Sequence, residues 1–71
     1  MITIKLDEVL KEKDVSLTEL SKAVDVTIAN LSILKTGKAK AVRFSTLEAI
    51  CKYLECQPGD IIVYEESSLR L

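Results

Sequence analysis

The chain has 71 residues, of which 48% are apolar and 30% are charged, enough for one small domain over residues 1–71. Ten basic and eleven acidic residues give a net charge of -1, so any surface that attracts a polyanion must be local. The chain has no histidine and only two glycines, and it is too short to wall a substrate cleft. We therefore predict that the protein is not an enzyme and takes no small-molecule substrate.

The sequence also argues against metal, cofactor and membrane sites. Cys51 and Cys56 form no CxxC pair and have no histidine to complete a zinc site, so we interpret both as small core residues. The longest unbroken apolar run, 61–64, is far shorter than the roughly 20 residues of a membrane span. No signal-peptide pattern follows the N-terminus. We expect a cytoplasmic protein without a membrane segment, metal or cofactor.

The first secondary-structure elements are predicted from a change in apolar spacing. Apolar and polar residues alternate over 2–5, which predicts a short strand. From Leu6 the apolar residues Val9 and Leu10 follow at helical spacing, with polar residues between them. This pattern predicts a first helix from Leu6 to about Lys13.

A second helix follows after a short break. Ser16 and Glu19 have the spacing of a capping box, in which the hydroxyl and the carboxylate each accept a hydrogen bond from a free backbone N–H. The helix is therefore predicted to begin at Leu17. Its predicted buried residues are Leu20, Ala23 and Val24.

The third helix is predicted over 28–36. Thr27 is its expected N-cap, Leu31 and Leu34 its buried residues, and Gly37 the residue that ends it. The second and third helices would then be joined by a tight turn of about three residues, which is typical of a helix-turn-helix.

The segment 35–43 carries a local excess of positive charge. It contains four basic residues and no acidic one, although the whole chain is slightly acidic: Lys35, Lys38, Lys40 and Arg43. A local cluster of basic residues on an otherwise acidic chain is the charge pattern of a surface that binds a polyanion. We therefore interpret these side chains as phosphate contacts, against the alternative of an ordinary solvated loop.

The C-terminal part is predicted to contain a fourth helix and a second strand. Ser45 and Glu48 repeat the capping-box spacing, and a buried stripe at helical spacing consists of Leu47, Ile50, Cys51 and Leu54. Pro58 opens a turn or one short helical turn, and 61–65 is predicted to be a strand. We expect this strand to pair with 2–5, and the tail 67–71 shows no pattern.

Read in order, these residues resemble a known family. The resemblance rests on the segments 16–21, 23–27 and 36–38, together with Leu31, Leu34, Leu47, Ile50 and Leu54. It is a resemblance to the lambda-repressor-like, Xre/Cro-type helix-turn-helix transcriptional regulators of bacteria and phages, in their compact single-domain form. It covers the core at about residues 6–62 and implies an all-α bundle of four to five short helices with a minor terminal β-strand pair.

The resemblance also implies roles for individual residues. It places the third helix in the DNA major groove, where the residues expected to read bases are Ile28, Ala29, Ser32 and Ile33. The residues expected to meet phosphates are Thr27, Asn30, Lys35, Thr36, Lys38, Lys40 and Arg43. At about 100° per residue, Ala29 and Ile33 lie nearly opposite the buried leucines and so face outward.

Two features depart from the family pattern. Asp25 stands at a turn position that usually holds glycine, and aspartate can adopt the required left-handed conformation at modest cost. The base-reading positions are mostly apolar, which favours contacts with thymine methyl groups. The same apolar face could instead bind a protein, as in an antitoxin-like or adaptor module.

The sequence-based hypothesis is thus a sequence-specific DNA-binding transcriptional regulator that acts as a repressor. Because a lone domain offers few phosphate contacts, we expect a homodimer on a double-stranded DNA operator with two-fold symmetry. The apolar run 61–64 is a candidate dimer surface, through Ile62 and Tyr64 or through Ile61 and Val63. Intramolecular packing of this run is the competing expectation.

Overall fold

The computed structural model describes residues 1–66, and the tail 67–71 lies outside the described residues. Five helices and two strands follow in the order β1 (Ile2–Ile4), α1 (Leu6–Lys13), α2 (Leu17–Val24), α3 (Ile28–Lys35), α4 (Phe44–Leu54), α5 (Pro58–Ile61) and β2 (Ile62–Tyr64). The predicted all-α bundle with a minor terminal strand pair is confirmed. The third helix ends one residue earlier than predicted, because Thr36 is its C-cap.

The core is built by one to three apolar positions from each helix. Its buried residues are Leu6, Val9, Leu10, Leu20, Leu31, Leu34, Ile50, Leu54 and Ile61. The helical spacing predicted all of these except Ile61, which was expected in a strand. Ala23 is exposed, so its predicted place in the core was wrong: α2 turns Leu20 and, in part, Val24 inward. Cys51 and Cys56 are half-buried and pack against the core.

Side-chain caps fix the starts of α2 and α3. The Ser16 hydroxyl accepts from the Glu19 backbone N–H at 3.0 Å, and the Thr27 hydroxyl accepts from the Asn30 N–H at 3.1 Å. The second half of the predicted capping box is replaced by a contact between helices. The Tyr53 hydroxyl on α4 donates to the Glu19 carboxylate at 2.5 Å.

The fourth helix starts earlier than the sequence predicted. Its N-cap is Arg43 and its first residue is Phe44, so Ser45 lies inside the first turn and does not cap the helix. The capping-box spacing of Ser45 and Glu48 was therefore misleading. No side chain caps this helix within the described residues 1–66.

The two strands form an antiparallel ribbon that joins the chain ends. Ile2 lies opposite Tyr64 and Ile4 opposite Ile62. Both strands are shorter than the predicted 2–5 and 61–65, because Lys5 becomes the N-cap of α1 and Ile61 completes α5. Ile61 is fully buried within the chain, so it cannot cover a partner subunit as one of the predicted dimer surfaces required.

The residue that follows β2 ties this ribbon together. The Glu65 carboxylate accepts from the Thr3 hydroxyl at 2.8 Å and pairs with the Lys5 ammonium at 3.3 Å. These contacts lower the pKa of Glu65 below its usual value, first through the Thr3 hydrogen bond and then through Lys5. The N-terminal ammonium donates to the Glu65 carbonyl at 2.6 Å.

Candidate nucleic-acid interface

The connection between α2 and α3 consists of three residues held by hydrogen bonds to α2. Asp25 adopts the left-handed conformation with φ 57°, so aspartate does occupy the turn position that the sequence analysis singled out. The Val26 N–H donates to the Ser21 carbonyl at 3.3 Å, and the Ser21 hydroxyl donates back to the Val26 carbonyl at 2.5 Å. Because Thr27 then caps α3, the angle between the two helices is fixed by local contacts.

The third helix has apolar residues on two opposite faces. Leu31 and Leu34 are buried against the core, at 1% and 6% exposure. Ile28 and Ile33 are each 46% exposed, and Ala29 is exposed beside them. A surface helix is usually polar on the side that faces solvent. The exposed apolar face of α3 is therefore suited to contact with a binding partner. The predicted outward orientation of Ala29 and Ile33 agrees with the structure.

A groove runs beside α3 and brings several predicted site residues together. It encloses about 600 Å³ between the α2–α3 turn, α3 and the segment that leads into α4. The predicted site residues that line it are Thr27, Asn30, Ile33, Lys40 and Arg43. Ile28, Ala29 and Ser32 are not part of this lining, and Ser32 is half-buried. Asp25 is the single acidic residue among the lining residues that the structure describes.

The basic loop is anchored to the end of α3 by its backbone. Gly37 has φ 79° and donates its N–H to the Leu34 carbonyl at 3.0 Å, while the Lys38 N–H donates to the Ile33 carbonyl at 3.1 Å. The Thr36 hydroxyl donates to the Ser32 and Ile33 carbonyls. These bonds hold the start of the loop directly beside the exposed face of α3.

Three of the four basic side chains in 35–43 are free to bind an anion. Lys38, Lys40 and Arg43 are exposed, and none of them forms an ion pair within residues 1–66. Lys35 differs, because its ammonium lies 3.7 Å from the Asp7 carboxylate on α1. Its side chain is only 33% exposed. The structure therefore places Lys35 between α3 and α1, apart from the other three.

The start of α4 is a feature that the sequence analysis missed. Arg43 is the N-cap of this helix and Thr46, in its first turn, lines the groove beside α3. A helix N-terminus that no side chain caps keeps backbone N–H groups for an anion. The sequence signal was the arginine itself: it ends the basic segment one residue before the apolar helical pattern begins.

A tight three-residue turn between two short helices, with the second helix exposed beside a basic loop, defines a helix-turn-helix DNA-binding domain. The comparisons with known proteins agree, since the family model of the Cro/C1-type HTH DNA-binding domain matches residues 5–67. The chain belongs to this family, which confirms the resemblance seen in the sequence.

A curated relative is similar over most of its length. The uncharacterized HTH-type transcriptional regulator YozG of Bacillus subtilis (strain 168) is 65% identical over 63 residues, which are 89% of this chain and 75% of the relative. Two further observations concern the described residues 1–66 alone. None of their helices is long and apolar enough to cross a membrane. Their Cys, Asp and Glu side chains form no group of three or more that could hold a metal ion.

Proposed function

We propose that the protein is a transcriptional regulator that binds double-stranded DNA sequence-specifically, with α3 in the major groove. The observation that carries this proposal is the position of the unpaired basic loop directly beside the exposed apolar face of α3. The core needs neither feature. The apolar face can contact base edges in the major groove, and the basic loop can contact the phosphate backbone. The name of the similar B. subtilis protein, an HTH-type transcriptional regulator, supports the same function.

In this proposal the outer face of α3 reads the bases. Ile28, Ala29 and Ile33 supply apolar contacts for thymine methyl groups, and Ser32 supplies a hydroxyl for a base edge. Ser32 is less exposed than the other three, so we expect it to contribute less. Readout of this kind favours sites rich in A·T pairs and depends little on bidentate hydrogen bonds.

The phosphate contacts are proposed to come from both sides of the groove. Thr27 and Asn30 lie at the start of α3, whereas Thr36, Lys38, Lys40 and Arg43 follow it. The free N–H groups at the start of α4 add a further anion contact. Lys35 remains in the proposed set, but its ion pair with Asp7 must be broken first, so we expect its contribution to be the smallest.

We further propose that the protein acts as a repressor and binds its operator as a homodimer. A monomer with about four phosphate contacts has modest affinity at physiological salt, and a two-fold dimer doubles these contacts. The ribbon is the proposed dimer surface. Ile2 and Tyr64 lie opposite each other in the ribbon and are 62% and 70% exposed, so both can cover the same residues of a second copy.

Sedimentation equilibrium at micromolar concentration tests the dimer. Tyr64→Ser should shift the protein from dimer to monomer without loss of helix content. Phe44→Ser is the matched variant, because Phe44 is an aromatic residue that is 87% exposed at the start of α4 and is not part of the ribbon. If Phe44→Ser rather than Tyr64→Ser produces the monomer, the dimer surface lies on α4.

Selection of bound fragments from a genomic library, followed by electrophoretic shift at low salt, tests the DNA proposal. We expect enrichment of one inverted-repeat motif, bound at least 1,000-fold more tightly than random DNA, the low end for specific binders. The alternative, an antitoxin-like or adaptor module that uses the same α3 face for a protein, predicts no enriched motif and no shift.

Charge substitutions separate phosphate contacts from base contacts. Arg43→Ala and Lys38→Ala should each weaken binding to all sequences and lower the log-log salt slope by about 0.9. Lys13→Ala is the matched control, since Lys13 is exposed at the end of α1 and lines surface clefts with Glu55 instead. A loss limited to one operator sequence would contradict the phosphate role.

A further inference from the structure

The end of α4 brings two thiol groups together through its backbone geometry. Glu55 ends the helix in the left-handed conformation, and the Cys56 N–H donates to the Cys51 carbonyl at 3.0 Å. In this type of helix end, a contact between the side chains at the two ends of that hydrogen bond is common. Cys51 and Cys56 occupy these two positions, and both side chains line the same cleft beside α4.

The other helix ends of the bundle show that the thiol pair is not required by this geometry. The same backbone hydrogen bond closes α1, α2 and α3, where it joins Leu10 with Val15, Ser21 with Val26, and Ile33 with Lys38. An apolar or mixed pair therefore serves equally well. Within residues 1–66, only the end of α4 places two sulfur atoms at these positions.

The thiol pair can be reached by small molecules. Both cysteines are half-buried and line an open apolar cleft of about 710 Å³ together with Phe44, Leu47 and Pro58. This cleft lies between α4 and α5 and shares no residue with the groove beside α3. The pair is thus separate from the proposed DNA interface.

We propose that Cys51 and Cys56 form a site of reversible oxidation, at which a peroxide converts the two thiols into one intramolecular disulfide. One sulfur attacks the O–O bond of hydrogen peroxide, which gives a sulfenic acid and releases one water. The second thiol attacks that sulfenic sulfur, forms the S–S bond and releases a second water. The two sulfurs are oxidised by two electrons in total, and the peroxide is reduced to two waters.

The environment makes this a slow site rather than an activated one. Burial, and then the neighbouring Cys51, raise the pKa of the Cys56 thiol, so it is largely protonated near neutral pH. The first step proceeds through the small thiolate fraction, and the second is favoured because both thiols lie at one helix end, which makes the attack intramolecular. Millimolar peroxide is therefore the appropriate probe.

Intact-mass measurement of the full chain tests the proposal. The reduced protein, freed of reductant, is treated with hydrogen peroxide and then with a thiol-alkylating reagent. We expect a monomer that has lost two hydrogen atoms, takes up no alkyl group and regains both thiols with a phosphine reductant. Stable sulfinic acid, a disulfide-linked dimer as the main product, or two alkylated thiols would each overturn the proposal.

Two variants and a melting curve sharpen the test. Cys56→Ser should leave Cys51 to give sulfenic acid or a linked dimer, and never the intramolecular product. The double variant Ser21→Cys, Val26→Cys in a background of Cys51→Ser and Cys56→Ser moves the thiol pair to the end of α2. If the geometry of the helix end is sufficient, that variant forms the same type of disulfide. The oxidised native protein should also melt at a higher temperature than the reduced one, because the cross-link restricts the unfolded chain.

Discussion

The two helices of the helix-turn-helix begin in the same way and differ on their faces. Both have eight residues. In each, the hydroxyl of the N-cap residue accepts a hydrogen bond from the backbone N–H three residues later. In α2 the apolar residues Leu17, Leu20 and Val24 pack toward the core, and the outer face is polar apart from the small side chain of Ala23. In α3 the apolar residues occupy the inner and the outer face. The hydroxyl caps that the two helices share stabilise the fold, and the outer apolar face of α3 is available for binding.

The largest expected effect comes from the inner face of α3. Leu31→Ala removes a side chain that is 1% exposed and leaves a cavity at the centre of the core. We expect a loss of about 2–5 kcal/mol in the free energy of unfolding. Because domains of this size are stabilised by only about 3–5 kcal/mol, the variant should be largely unfolded at 37 °C. Urea unfolding followed by circular dichroism measures the change.

The outer face of the same helix supplies the matched control. Ile33→Ala should change the free energy of unfolding by no more than about 0.5 kcal/mol, because the side chain is 46% exposed. It should nevertheless alter which operator sequences are bound. A variant that unfolds like Leu31→Ala would show that Ile33 belongs to the core and that the two faces of α3 do not have separate roles.

The ends of the two helices differ in the residue that adopts the left-handed conformation. Gly37 follows α3 with φ 79°, and a Cβ atom there would contact nothing within 4 Å. Gly37→Ala should therefore cost about 1–2 kcal/mol through backbone strain alone. Asp25→Gly, at the end of α2, should be neutral or slightly stabilising. Equal losses in both variants, measured by thermal unfolding, would mean that side-chain contacts and not backbone conformation determine these ends.

Sequence patterns identified most of the fold because its elements are local. Helical spacing in α1 and the hydroxyl caps at Ser16 and Thr27 depend on residues within one or two turns, so they can be read without the tertiary structure. Two of the errors arose where a distant residue competes. Glu19 was assigned to a capping box but accepts from Tyr53, which is 34 positions away in the sequence. Ile61 was predicted to lie in a strand, but it is the last residue of α5 and is buried in the core.

The candidate site was predictable in part for the same reason. The outward position of Ala29 and Ile33 follows from helical geometry once Leu31 is known to be buried. The ion pair of Lys35 with Asp7 did not follow, because it depends on how α1 packs against α3. The cluster of basic residues in 35–43 predicted the same role for Lys35 as for its basic neighbours. In the folded chain, Lys35 instead pairs with Asp7 on α1.

The N-cap residues Ser16 and Thr27 should contribute equally to folding stability and unequally to DNA affinity. Ser16→Ala and Thr27→Ala each remove one hydrogen bond to a free N–H, at a cost of about 1 kcal/mol. Thr27 also lines the groove beside α3, so its variant should weaken DNA binding further, after correction for the folded fraction. If both variants bind equally well at matched folded fraction, Thr27 is a cap only.

The smallest expected effect concerns the carboxylate that α2 shares with α4. The neutral Tyr53 hydroxyl donates to Glu19, and this bond, together with burial and the negative charge of Glu19, raises the pKa of Tyr53 above its usual value of 10.0. The contact requires the protonated phenol, so its stabilisation is complete below the unfolded pKa and is lost as the pH rises through the folded pKa. Tyr53 is exposed, which keeps the contribution small.

A phenolate titration can isolate this contact, because the chain has only two tyrosines. In a Tyr64→Phe background, absorbance near the phenolate band reports Tyr53 alone and should give a pKa above 10.0. Adding Glu19→Ala should lower this pKa, because both the acceptor and the nearby negative charge are removed. A pKa that stays unchanged would show that burial alone shifts Tyr53. The α2–α4 contact would then contribute nothing to stability below the unfolded pKa of Tyr53, and α2, unlike α3, would depend only on its apolar stripe and its caps.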